Sequence, residues 1–220
     1  FDFSSDVVVY DLEADTLITT PLLMSKTKFE TFPSWSADGK TLYFCSADSV
    51  KIPDDYDQVH YSLCSIGFDA EKKQFADSVQ VIYDARQTQK SVSFPRCSPD
   101  GHHLVFTLSD YGNFSIWHQE ARLMMIPANA TNAAEMVSIL PDFRASYHSW
   151  SSNSRWMVMA SRQDDGLYTR PYIVHIDADG KVSKPFLLPQ SDAAYYFRTM
   201  KSYNIPEFTH GKVYVTLDGI

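Results

Sequence analysis

Apolar and polar positions alternate along most of the chain in short runs. Each run is closed by a turn of Asp, Gly, Ser or Pro. Residues 41–46, 59–68 and 78–83 are such runs, and so are 90–97, 103–108, 121–126 and 136–140. A third set occupies 146–151, 156–161, 171–177 and 185–188, and a lone pair at 6–10 and 17–20 comes first. Many of these runs are rich in β-branched and aromatic residues, which predicts strands. Long segments of 3.6-residue period are nearly absent, which excludes a helical solenoid; only 191–203 reads as a short helix or an irregular link.

The runs are organised by one recurring stretch, Phe32-Pro33-Ser34-Trp35-Ser36-Ala37-Asp38-Gly39-Lys40-Thr41-Leu42-Tyr43-Phe44. Asp-Gly between two apolar runs predicts a two-residue hairpin turn of the primed type, because both residues tolerate positive φ. A second copy is Ser93-Phe94-Pro95-Arg96-Cys97-Ser98-Pro99-Asp100-Gly101 and its following strand. A third runs from Tyr147-His148-Ser149-Trp150, but carries Ser152-Asn153-Ser154 at the turn. Gly39 to Gly101 is 62 residues and Gly101 to Ser154 is 53. A minimal four-stranded blade takes about 40–45 residues, so each unit carries an insertion, in the same slot between its second and third strands.

The pattern predicts an all-β chain: a β-propeller of four-stranded antiparallel blades, with about three and a half blades present. The expected division is a half blade at 1–26, blades at 27–84, 85–140 and 141–190, a linker at 191–210, and a strand at 211–220. That last strand would close the ring or enter a following domain. Propellers typically close with four to eight blades, so the remaining blades are expected from a longer chain.

The Trp-Ser-x-Asp-Gly-Lys and Phe-Pro-x-x-Ser-Pro-Asp-Gly turns resemble the WD-like repeats of TolB-type β-propellers, from Phe32 to about Leu188. The resemblance implies a bacterial envelope protein, periplasmic or outer-membrane-associated, that binds other envelope proteins or a peptide segment without catalysis. Similar propellers serve as accessory domains of prolyl-oligopeptidase-like serine peptidases, and as metal-dependent polysaccharide lyases with histidine-bound metal. These are the alternatives.

Composition narrows this reading. Hydrophobic residues are 44% and charged residues 21%, as in a folded globular chain. The net charge of −8 argues against nucleic acid as a partner, and no apolar run reaches the length of a membrane span. Three cysteines at spacings unlike a zinc motif read as small core residues. No Gly-x-Ser-x-Gly elbow, phosphate loop or dinucleotide fingerprint occurs. No catalytic residue, metal or cofactor is therefore expected.

The insertions direct attention to one face. In a propeller the connections between second and third strands, and those between blades, share the side opposite the Asp-Gly turns. Candidate binding residues there are Asp54, Asp55, Tyr56 and Asp57, then Asp110, Tyr111, Trp117 and His118, then Asp164, Asp165, Tyr168 and Arg170. The inter-blade connections add Lys28, Arg86, Lys90, Phe143 and Arg144. Aromatic residues and Arg are the usual anchors of interfaces. The Asp54-Asp55-Asp57 loop lacks the Gly and distal Glu of an EF-hand and reads as a solvated acidic loop. His148 precedes Trp150 on an inner strand, a position from which it could face the central channel.

Overall fold

A computed structural model describes residues 4–212. A two-stranded hairpin comes first, β1 (Val9–Asp11) with β2 (Thr16–Ile18). Three four-stranded antiparallel meanders follow. The first is β3 (Lys28–Trp35), β4 (Thr41–Asp48), β5 (Ser62–Asp69) and β6 (Gln74–Tyr83). The second is β7 (Ser91–Cys97), β8 (His103–Ser109), β9 (Arg122–Pro127) and β10 (Val137–Ser138), and the third is β11 (Ser146–Trp150), β12 (Trp156–Ser161), β13 (Arg170–His175) and β14 (Phe186–Leu187). The first strands of successive sheets touch, β3 with β7 and β7 with β11, so they form the inner edge of the arc.

The second strand of each sheet explains why the sheets stack. Successive strand residues point to opposite faces. On β4, Leu42 and Phe44 join a core shared with the hairpin, while Tyr43 and Cys45 join the core shared with the second blade. On β8, Leu104 and Phe106 face the first blade and Val105 faces the third, where Met157 and Met159 meet it. A strand covered on both faces needs an unbroken apolar run, which Leu42-Tyr43-Phe44-Cys45 and Leu104-Val105-Phe106 supply. Each such side chain contributes about 1.5–3 kcal/mol on burial.

The turns differ from the primed hairpin expected. Gly39 (φ +68°) has positive φ and Asp38 does not. The Ser36 carbonyl accepts from Gly39 N–H at 3.0 Å, and Ser36 N–H donates to the Thr41 carbonyl at 2.8 Å. Ser36 Oγ donates to Asp38 Oδ1 at 2.6 Å, and that carboxylate accepts from Lys40 N–H at 3.1 Å. The serine is thus as much a part of the turn as Asp-Gly. Ser98-Asp100-Gly101 repeats every bond. So does the third copy, with Asn153 in place of Asp and Ser154 at φ +58° in place of Gly.

Phe32, Phe94 and Tyr147 all sit at positive φ, +52° to +53°. At each, two residues of the first strand oppose one of the second, forming a β-bulge. The bulge turns the ring onto its neighbour: Phe32 to Phe94 at 4.1 Å and Phe94 to Tyr147 at 4.7 Å between centroids. These rings bridge the blades. Trp35 does not, packing instead on Phe68 of its own sheet at 5.2 Å. Trp150 does, donating Nε1–H to the Arg96 carbonyl at 3.1 Å.

Other expectations shift in detail. Pro127 closes β9 inside the ladder, opposite His103, one residue beyond the run expected at 121–126. Lys28 begins β3 rather than lying in a connection. The outer strand β14 is clipped to two residues between Pro185 and Pro189. The linker holds a helical turn, α2 (Tyr195–Arg198), and is tied back to the third blade. There Tyr203 N–H donates to the Thr169 carbonyl at 3.0 Å and Thr169 Oγ1 to Asn204 Oδ1 at 2.8 Å. Of the strand expected at 211–220, only Gly211 and Lys212 are described, and neither is in a strand; the rest lies outside the described residues. Among the described residues no helix is long and apolar enough to cross a membrane.

Candidate functional site

The connections β4–β5, β8–β9 and β12–β13 lie side by side, because each leaves the same end of its sheet. The first holds a 3-10 turn at Tyr56–Gln58 and the second one at Ser115–Trp117. Buried hydroxyls join the blades beneath them. Ser93 Oγ donates to Ser115 Oγ at 2.9 Å, and Ser115 Oγ lies 2.7 Å from Ser146 Oγ. The first two connections are also bonded through backbone, Gly112 N–H donating to the Val59 carbonyl at 2.8 Å, and beside them Tyr61 N–H donates to Ser91 Oγ of β7 at 3.0 Å.

Between those two connections lies a pocket of ≈ 200 Å³. Tyr56, Tyr61, Tyr111, Phe114, Trp117 and His118 are its ring-bearing walls, and Ile52 and Val59 its aliphatic ones. Tyr56 meets Tyr111 at 5.7 Å and 71°, and Tyr111 meets His118 at 4.5 Å and 76°. His118 Nδ1 lies 2.7 Å from Glu120 Oε1. Burial, the Tyr56 hydroxyl, and the Asp57 and Glu120 charges push the Tyr111 hydroxyl above its ordinary pKa. Trp117 is 69% exposed, and the Arg162 guanidinium lies 3.8 Å from its ring centroid. Arg162 thereby joins the third blade's connection to the second's.

The third connection is built on Arg170, which is only 4% exposed. Its guanidinium binds Asp164 Oδ2 at 2.7 Å and Asp165 Oδ2 at 2.6 Å, and the Tyr172 hydroxyl donates to Asp164 Oδ1 at 2.7 Å. Backbone N–H groups of Tyr168 and Leu167, with the Arg170 charge, hold Asp165 below the usual carboxylate range. Phe197 of the linker caps the guanidinium at 4.6 Å. Arg170, Asp164 and Asp165 thus form the scaffold of their loop, not an exposed anchor; a buried guanidinium needs carboxylates more than a partner does.

The remaining candidates are dispersed. Asp54 pairs with Lys51 at 2.5 Å, and Asp55 donates its N–H to the Lys51 carbonyl. Asp57 accepts from the Gln58 amide. Asp110 pairs with Lys90 at 2.5 Å. Arg86 sits in the helical turn α1 (Ala85–Thr88), paired with Asp84, which caps that turn. Arg144 donates to the Arg162 carbonyl and is braced by Ser161 Oγ, which donates to the Arg144 carbonyl at 2.6 Å. Tyr168 contributes its N–H to Asp165. Phe114, Tyr61 and Arg162 belong to the site and were missed. Phe114 and Arg162 lie in the connections themselves, so loop position was the available signal, while Tyr61 reads as ordinary strand.

His148 does not face a channel. It is buried between blades, and its Nε2–H donates to the Val105 carbonyl at 3.0 Å. Burial pushes its pKa down to about 4. Among the described residues no three His, Cys, Asp or Glu gather in a group that could hold a metal.

No known family matches the chain, and no curated protein matches it in sequence. Solved structures do match in fold. An oligogalacturonate lyase in complex with manganese superposes with a TM-score of 0.56 at 12% identity, over 85% of this chain and 49% of the lyase. Prolyl oligopeptidase B from Galerina marginata, bound to a macrocyclization substrate, gives 0.51 at 9% identity, over 81% of this chain and 25% of the oligopeptidase. TolB from Acinetobacter baumannii gives 0.48 at 18% identity, over 81% of this chain and 37% of TolB. This chain thus spans less than half the length of each of these proteins. Taken with three four-stranded meanders stacked along an inner edge, the first two likenesses establish the fold: the chain is a segment of a β-propeller.

Proposed function

We propose that this propeller segment is a non-catalytic binding module that takes a protein or peptide partner on the face formed by its three long connections. One observation carries the reading. The three connections form a continuous surface through side-chain contacts between blades, Tyr56 with Tyr111 and Trp117 with Arg162. Phe114, Trp117 and Leu167 stand exposed on them. Exposed aromatic groups on rigidly held loops are the usual composition of a binding surface. The TolB-type turns support a place in the bacterial periplasm or at the outer membrane.

The test is capture of partners from envelope extract by the immobilised chain. It compares the unaltered protein with an Asp55→Lys/Leu167→Arg variant, both positions being exposed and outside the aromatic pocket. The expected result is loss of at least one captured protein with the melting temperature unchanged. An identical set of captured proteins would sink the assignment of this face.

A further inference from the structure

The aromatic pocket between the first two connections has a chemistry of its own. Its walls are ring faces and edges set near right angles, 71° between Tyr56 and Tyr111 and 76° between Tyr111 and His118. Each of these two pairs meets edge to face, and a cation that reaches a free ring face among the six is attracted by that face's negative charge. No Lys or Arg lines the pocket. Nearby Lys51 and Lys90 are each paired with a carboxylate at 2.5 Å, while Arg162 stacks on Trp117 and lines an adjoining crevice that shares His118 with the pocket. Asp57 and Glu120 both act on Tyr111 electrostatically, and neither is paired with Lys or Arg among the described residues. These two negative charges favour a cation beside Tyr111, and the Arg162 charge on Trp117 opposes them.

Two polar groups of the pocket are already engaged. His118 Nδ1 is held by Glu120, and the Tyr111 hydroxyl is hydrogen-bonded to Tyr56. A primary ammonium entering here would lose water from three N–H donors and gain few acceptors. A quaternary ammonium has no N–H to satisfy and presents methyl groups to the rings.

We infer that this pocket binds a quaternary ammonium group, on a free small molecule or on a trimethylated lysine. The inference does not depend on the protein-binding reading above, and it stands if no partner protein is found.

The test is calorimetric titration of the whole chain with tetramethylammonium chloride, choline chloride and 3,3-dimethyl-1-butanol, the uncharged carbon isostere of choline, at matched ionic strength. Both cations are expected to bind, with the isostere at least about tenfold weaker. Trp117→Ala and Tyr56→Ala, at exposed positions, are each expected to weaken choline binding by about tenfold while the circular dichroism spectrum is retained. Equal binding of choline and its isostere would show an apolar pocket only and overturn the inference. So would saturable binding unaffected by Trp117→Ala, or no saturable heat with either cation at millimolar concentration. A final arm compares choline with an N-acetyl trimethyl-lysine amide. Tighter binding of choline assigns a free metabolite, tighter binding of the amide assigns a modified protein, and both support the quaternary ammonium site.

Discussion

His148 offers a direct measure of how tightly two blades are packed. Its ring is 2% exposed, donates Nε2–H to the Val105 carbonyl at 3.0 Å, and leaves Nδ1 without a partner among the described residues. Protonation would put a charge on that unpartnered nitrogen inside the interface. Burial, and to a lesser degree the Arg96 charge, drives the pKa down to about 4, while the Val105 carbonyl opposes the shift. An unfolded chain carries this histidine near its ordinary value of about 6.5. Below that value the unfolded state binds the proton and the folded state does not. Stability contributed by the neutral ring is thus fully present above about pH 6.5 and is lost progressively down to about pH 4. Over the whole window the loss is on the order of 3 kcal/mol, and by pH 5 it is about 2 kcal/mol. His148→Gln keeps an N–H donor for Val105 but cannot titrate. Urea unfolding of both proteins, followed by tryptophan fluorescence at about pH 7.5 and about pH 5, isolates the term because the carboxylates are common to both. The unaltered chain should lose about 2 kcal/mol more than the variant between the two conditions. Equal losses would refute the buried, neutral assignment.

Two further perturbations test the turns and the loop scaffold. Gly39→Ala places a side chain at φ +68° in open space, so its cost is purely backbone strain, about 1–2 kcal/mol by urea midpoint; an unchanged midpoint would mean that the turn relaxes freely. Arg170→Ala leaves Asp164 and Asp165 without their counter-charge and should cost about 3–5 kcal/mol, with Arg170→Lys recovering little because one ammonium cannot reproduce two guanidinium bonds. Near-complete recovery by Lys, measured by thermal melting, would reduce the cluster to simple charge pairing.

The strands were legible because a strand buried on both faces must be continuously apolar, as residues 42–45 and 104–106 are. The turn positions were legible too, but not their type. Asp-Gly was read as a two-residue unit, whereas the serine two places before the Asp supplies an equal share of the bonds. That is why Ser151-Ser152-Asn153-Ser154 keeps the turn without Gly: Ser151 and Asn153 retain both side-chain roles, and Ser154 tolerates the left-handed region while its Oγ accepts the Asp100 N–H at 2.9 Å. The aromatic bulges were not legible, since positive φ is unusual for Phe and Tyr. They exist because rings from adjacent blades meet, a tertiary effect without a local signal. In the same way Arg170 reads as a surface anchor until Asp164, Asp165 and Phe197 are seen around it.

The two faces of the arc now have different physical roles. On the turn face, blades meet through short, fully bonded elements: Tyr43 donates to the Ala128 carbonyl at 2.5 Å and Gln80 to the Thr131 carbonyl at 3.0 Å. A larger cleft of ≈ 530 Å³ lies there, but Asp38 and Asp100 beside it are committed to holding their own turns. On the loop face the backbone bonds lie underneath and the rings lie above. Gly112 N–H on the Val59 carbonyl, with Tyr61 N–H on Ser91 Oγ at the start of β7, fixes the two connections against each other before any ligand arrives. A pocket assembled from two blades would ordinarily lose affinity to the cost of ordering its loops, about 0.5–1.5 kcal/mol for each immobilised side chain. Because the backbone stitching lies beneath Tyr56, Tyr111 and His118, much of that ordering is complete in the free protein. The aromatic pocket is accordingly the part of this surface best able to bind a small ligand with few contacts.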